Sequence, residues 1–298
     1  MTKAAPLSPL APNRQKWVAG PATLFVDMNP NNRLRAYGLC AVLCLSGLAA
    51  RAEEPTRKPA TFHHMGGGED APALMAKGDE FDKRLQAKEA LEYYMPANKL
   101  QPDNVDLLVR IARQYRHLMA DASSNKEKLR LGYISLEFAN RAATLAPNNA
   151  EAQLSPAISY GKMLPFMGSK DQVNAAPRIK AAVDRALELD PSNDNAWHIL
   201  GRWNRVLADV NGVKRALAKA LYGGLPVTTN EAAEKCLLKA IEINPNRLIH
   251  YIELGHVYVQ MGRKEDARKY IKKGLAIPDK EKDDPEMREI GVQLLEKL

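Results

Sequence analysis

An all-α solenoid of about five stacked helix pairs is the fold this chain predicts, and three observations point to it. Five times a proline closes an apolar segment of helical periodicity: Pro102, Pro147, Pro191, Pro245 and Pro278. Small and aromatic residues recur at fixed offsets ahead of those prolines, most plainly Gly78, Phe81, Ala90, Tyr94 and Ala97 before Pro102. Capping signals such as Ser124 with Glu127 stand where new helices have to begin. Each residue type has a physical task. Gly78, Ala90 and Ala97 let two antiparallel helices approach closely, Phe81 and Tyr94 fill the space between them, and Pro102 stops the second helix.

The elements follow in order. Residues 1–52 read as a leader, with Arg33 and Arg35 before the apolar run 36–49 and small residues at Ala50 and Ala52 for cleavage after Ala52. The run is short for a membrane helix, and the basic segment begins well inside the chain; a start at Met28 is one explanation, and the start codon stays open at this level. An exported protein, periplasmic or secreted, is expected; an anchor through residues 36–49 is the alternative. Residues 53–69, rich in Pro, Thr, Lys and Gly, form a flexible linker, and the adjacent His63 and His64 are expected to bind nothing specific. The repeat domain occupies residues 70–298.

Within it, the first unit has the spacing of a tetratricopeptide repeat, which runs about 34 residues. Unit two places Leu108, Ile111, Ala112 and Tyr115 on one face, then Ala139 and Ala142 before its proline. Unit three carries Ala157 and Tyr160, a loop through Pro165 and Gly168, a Ser169/Gln172 start signal, then Ile179, Val183 and Ala186. Unit four holds Trp197, Leu200 and Gly201, and ends with Ala233, Leu237 and Ala240. Between its helices Val213–Tyr222 is helical, Gly223-Gly224 ends that insertion, and Thr228 with Glu231 starts the next helix. Unit five is nearly plain, with Tyr251, Leu254, Gly255, Tyr258, Ala267, Ile271 and Gly274. Pro285–Leu298 is an amphipathic capping helix.

Charge and cysteine content narrow the function. The net charge is +8, but residues 1–52 hold six basic residues and one acidic, leaving 37 basic and 34 acidic for the rest. The run Arg263, Lys264, Arg268, Lys269, Lys272 and Lys273 is broken by Glu265 and Asp266, which marks a solvated face; nucleic acid is not an expected partner. Cys40, Cys44 and Cys236 match no zinc spacing, and cleavage would leave Cys236 unable to form an internal disulfide. No phosphate-binding loop, nucleophile elbow or His-Glu-x-x-His motif occurs. His198, His250 and His256 lie on neighbouring helices and could meet, yet chance histidines in a helical stack rarely make a metal site. No enzyme activity and no cofactor are expected.

The stretch Arg178–Pro191, the segment Leu200-Gly201-Arg202-Trp203, the inserted Ala216–Tyr222, Pro226, Thr228 and the helix Glu231–Asn244 resemble the regulator of microtubule dynamics family. The likeness covers about residues 70–298 and is strongest over 177–275. It implies a tetratricopeptide-like fold with extended insertions, no enzymatic chemistry, and association with microtubules and organelle surfaces. The secretion-type leader departs from that family, so the chain is expected to be an exported bacterial-type version to which the microtubule role attaches as a label.

The first helix of each unit lines the concave groove in such an array. That projection places Arg113, Arg116, Lys162, Asn195, Arg202 and Arg205 along the middle of the groove and Ile249, Ile252 and Val259 on its C-terminal wall. Arginine presents a planar fork suited to carboxylate or phosphate. A non-enzymatic scaffold binding an extended acidic peptide or protein partner is therefore the expected function, with a carrier for a phospholipid or similar anionic amphiphile as alternative. The bland possibility is that these arginines are solvated or paired with nearby Asp and Glu. Oligomeric state, and whether the inserted helix covers the groove, stay open at this level.

Overall fold

The computed structural model describes residues 70–298. The leader with Met28 and the cleavage site, the linker, His63, His64, Cys40 and Cys44 all lie outside the described residues. Twelve α-helices and no strand occur among the described residues. They pair as α1 (Ala71–Asp82) with α2 (Ala87–Leu100), α3 (Val105–Asp121) with α4 (Asn125–Leu145), and α5 (Ala150–Met163) with α6 (Ser169–Leu189). Next come α7 (Asp194–Ala208) with α9 (Asn230–Ile243), the inserted α8 (Gly212–Tyr222), then α10 (Leu248–Gln260) with α11 (Lys264–Leu275). The closing helix α12 (Asp284–Glu296) starts with Pro285 in its first turn and packs on α10 and α11.

The joints between units share one chemical design. At the end of α2, α4, α6 and α9 the capping N–H donates to the carbonyl of an alanine, Ala97, Ala142, Ala186 or Ala240, each fully buried. Proline follows directly and cannot continue the helix. Two residues after Pro102, Pro147 and Pro191, the side chains of Asn104, Asn149 and Asn193 accept the N–H of Leu107, Ala152 and Ala196 at 3.1, 3.0 and 2.9 Å. Stop and start signals thus sit two residues apart, which fixes a tight turn between units. The fourth joint breaks the pattern: Arg247 stands where asparagine would cap, and α10 begins without a side-chain cap.

Other caps depart in detail from expectation. Ser124 accepts from the Glu127 N–H at 3.2 Å, but the Glu127 carboxylate turns to Arg130 instead of back to the cap. Gly168, not Ser169, precedes α6, and Gln172 instead donates to the carbonyls of Leu164 and Met167. Thr229 caps α9, which frees the Thr228 hydroxyl to donate to Asn204 at 2.5 Å. Gly223 ends α8 in the left-handed region at φ 85, as its place after the insertion required.

Within each pair, small residues set the distance. A Cβ added at Gly201 on α7 would lie 2.6 Å from Leu237 Cγ and 3.3 Å from the Ala233 carbonyl on α9. Gly78 faces the Tyr94 ring and Gly255 faces Ile271 in the same way. Helix α8 meets α6 through Ala218 and Val173, so the insertion extends the outer layer and leaves the inner face of first helices open.

Gly201→Ala should lower stability by about 1–3 kcal/mol despite the better helix propensity of alanine. Leu237→Ala alone should cost about 2–5 kcal/mol, and the double variant less than the sum, because the removed atoms are the ones the methyl introduced on α7 would strike. Urea unfolding of the four proteins tests this; strict additivity would refute the close contact.

Candidate functional site

The inner face is built largely by side chains that reach from one first helix to the next, as α1 to α3, α3 to α5 and α7 to α10. Asp79 on α1 receives Arg110 of α3 at 2.7 Å on both oxygens, and the Tyr94 hydroxyl at 2.6 Å. Asp82 receives Arg113 and, at 2.8 Å, Gln114. Both arginines stand 31 residues beyond their aspartates, about one helical turn short of the 34-residue repeat. From α7 to α10, Arg205 reaches Glu253 at 2.5 Å, with side chains 12% and 3% exposed. Burial alone would raise the Glu253 pKa, but the guanidiniums of Arg205 and Arg202 hold it well below the usual carboxylate range.

Between α3 and α5 the link is different. Arg116, 6% exposed, donates to the hydroxyls of Ser155 at 3.3 Å and Ser159 at 3.2 Å, and has no carboxylate partner among the described residues. Burial, and next the charge of Arg113, lower its pKa to about 9, so it remains a cation at neutral pH. Further along, the fully buried His250 hydrogen-bonds Asp194 at 2.9 Å through Nε2 and His198 at 3.1 Å through Nδ1. Asp194 also accepts from Arg247 at 3.0 Å. His198 and His250 do come together, in a hydrogen-bonded row with an aspartate, and no metal-holding group of residues exists among the described residues.

The connector 276–283 crosses this face. Arg288 clamps its start through the carbonyls of Leu275 and Ile277, each at 2.6 Å, while Asp284 accepts the N–H groups of Lys280 and Glu281 at 2.8 Å. Arg247 bridges Glu281 at 2.5 Å to Asp194, Lys282 pairs with Asp121 of α3 at 2.8 Å, and Asp283 pairs with Lys162 of α5. Burial works to raise the Asp283 pKa, yet Lys162, then His117 and Arg202, bring it down. Asp283 Oδ1 and His117 Nδ1 are buried without a hydrogen-bond partner.

The residues expected to bind therefore divide. Arg113 and Arg205 are engaged by Asp82 and Glu253, and Lys162 by Asp283, so the pairing alternative accounts for three of them. Arg116 lies in the wall rather than on it. Arg202 and Asn195, both half-buried, have no hydrogen-bond or ion-pair partner among the described residues. Ile249 and Val259 are partly buried against the last core cluster, and Ile252 is fully buried, facing Gly291 of α12. The expected apolar wall at Ile252 is thus covered by the capping helix, whose glycine lets it approach. Asp79, Asp82, Glu253 and Asp283 complete the arrangement without having been singled out; the 31-residue step from Asp79 to Arg110 was a readable signal for the first two.

Burial foremost lowers the pKa of four histidines, His117 to about 4, His256 to about 3, and His198 and His250 in the same direction. Each takes a proton more readily unfolded, near 6.5, than folded. Stability should be full above that value and fall as pH drops toward 4, by up to about 2 kcal/mol near pH 5 for each of His117 and His256. Urea unfolding across this range tests the slope, and His256→Gln should flatten it; an unchanged slope would contradict neutral burial.

Comparison with known proteins agrees with the fold. The family profile described as "Regulator of microtubule dynamics protein 1-3" matches residues 74–298. Regulator of microtubule dynamics protein 1 of Mus musculus is 28% identical over 197 residues, 65% of each chain. Regulator of microtubule dynamics protein 2 of Homo sapiens is 26% identical over 189 residues, covering 62% of this chain and 45% of that one. The chain thus spans less than two thirds of the length of these relatives. Among solved structures, TTC0263, a thermophilic tetratricopeptide-repeat protein of Thermus thermophilus, aligns with a TM-score of 0.54 at 17% identity, over 76% of this chain and 98% of its own. With its tetratricopeptide-like solenoid and this match over most of its length, the chain belongs to the regulator of microtubule dynamics family.

Proposed function

We propose that this chain is a non-enzymatic interaction scaffold whose inner groove takes an acidic segment of a partner protein at the place Asp283 now occupies. The observation that carries this is the setting of Asp283: a carboxylate from a separate segment rests on Lys162, next to His117 and within the field of Arg202. That spot already holds a carboxylate, presented from the turn that starts α12. Arg202 acts on it with donors uncommitted among the described residues, Asn195 lies two turns earlier on α7 with its amide likewise uncommitted, and buried Arg116 adds positive potential. A partner carboxylate would displace Asp283 and reach Lys162 and Arg202, while Asn195 hydrogen-bonds the partner backbone.

A carrier for an anionic amphiphile has less support, since Ile252, meant to hold the tail, is under α12. The names of the relatives point to microtubules as the place to seek an acidic partner, an extension that rests on family membership alone.

Fluorescence anisotropy with a labelled glutamate-rich peptide tests the proposal. Asp283→Asn should raise affinity several-fold by removing the internal competitor, and Arg202→Glu should lower it by about tenfold, equivalent to about 1.4 kcal/mol. Equal affinities for both variants and the parent, with helicity intact by circular dichroism, would overturn it.

A further inference from the structure

Helix α8 is mounted the opposite way round from the other helices. Val213, Ala216, Leu217, Ala220 and Leu221 recur at the spacing that makes one apolar stripe, and all five are exposed, Val213 at 80% and Leu221 at 54%. Its opposite side faces the protein, with Ala218 fully buried beside Tyr222 and Val173. Val227, in the loop that follows, is 86% exposed.

The charge around this stripe has one sign. No Asp or Glu occurs between Asp209 and Glu231. Lys214 and Lys219 flank the apolar row on either side. Arg215 spends its donors on the backbone carbonyls of Leu207, Val210 and Pro226, and Arg178 on the Tyr160 hydroxyl, so neither cation is neutralised. None of the four has an ion-pair partner among the described residues, unlike Arg113 and Arg205 in the groove. Arg178, Arg215, Lys219, Tyr222 and Pro226 line a depression of about 850 Å³ beside the helix.

We infer that α8 and the loop to Val227 form a docking surface for an anionic lipid bilayer. Five exposed aliphatic side chains on an 11-residue helix, two of them alanines, are too small an area for a stable protein interface, which needs about 1,000 Å² or more. They suffice for reversible partition into the boundary between headgroups and acyl chains. The flanking lysines can keep their stems along the apolar row and their ammonium groups among anionic headgroups. The depression then receives a headgroup phosphate between Arg178, Arg215 and Lys219. Docked this way, the outer layer meets the membrane and the inner groove faces away from it, free for a partner.

Peptide-resolved hydrogen exchange of the full chain tests this, with vesicles of phosphatidylserine in phosphatidylcholine and of phosphatidylcholine alone. Amides over residues 212–227 should exchange about tenfold more slowly on the anionic vesicles only. That protection should vanish in Lys214→Glu/Lys219→Glu and in Val213→Ser/Leu217→Ser/Leu221→Ser, whose replaced side chains lie at the surface of a fold monitored by circular dichroism. Unchanged exchange on anionic vesicles, equal protection on neutral ones, or persistence in the variants would overturn the inference. Protection that grows with protein concentration without vesicles would also overturn it, in favour of contact between copies of this chain.

Discussion

Every layer of this molecule rests on the distance at which paired helices can touch. Where Gly201 meets Leu237, or Gly78 the ring of Tyr94, the absent side chain of one helix is the space occupied by the other. A hole filled by a neighbour's knob is the densest way to join two helices, and it sets both separation and crossing. Once the separation within a pair is set, the proline and asparagine joints set the step to the next pair. The inner face inherits its spacing from these two contacts. The charge pairs across it can form only because that spacing brings residues one repeat apart within reach.

Those pairs differ in weight. Arg110 with Asp79 is partly wet, about a third exposed on each side, and solvent screens it. Arg205 with Glu253 is almost dry, and loss of the arginine alone would strand a buried carboxylate, a change of the kind that costs about 3–5 kcal/mol. Arg116 is the exception, a buried cation held by hydroxyls. Its charge is not cancelled on the spot, so its potential reaches the groove where Lys162 and Asp283 meet.

The pairing of helices, the inserted helix and the capping helix were all legible in the chain, because each rests on local chemistry. Gly223 and Pro285 work through the backbone of their own segment, and Ala97 or Ala186 through a repeated offset. The groove was read less well. Projection of a repeat pattern identifies which side a residue faces but not what faces it, so Arg113 and Arg205 read as free donors. Ile252 was misplaced because nothing local says that α12 folds back over α10. Asp283 was invisible for the same reason, since its contact with Lys162 depends on the path of a connector. Arg247, in place of asparagine at an otherwise regular Pro-x-Asn joint, was visible as an irregularity, and its meaning came only with Asp194 and Glu281 beside it.

The connector also alters the mechanics of the array. In a plain solenoid each unit meets its neighbours alone, so the stack behaves as a spring that can stretch, and one end can unravel while the other holds. Here Lys282 and Asp283 carry contacts from the last unit to Asp121 and Lys162 in the second and third, and so close the spring into a loop. Extension of the coil must first break that latch. The outer units are thereby tied to the cooperative fate of the middle ones, and a partner that displaces Asp283 would loosen the whole coil as well as occupy the groove.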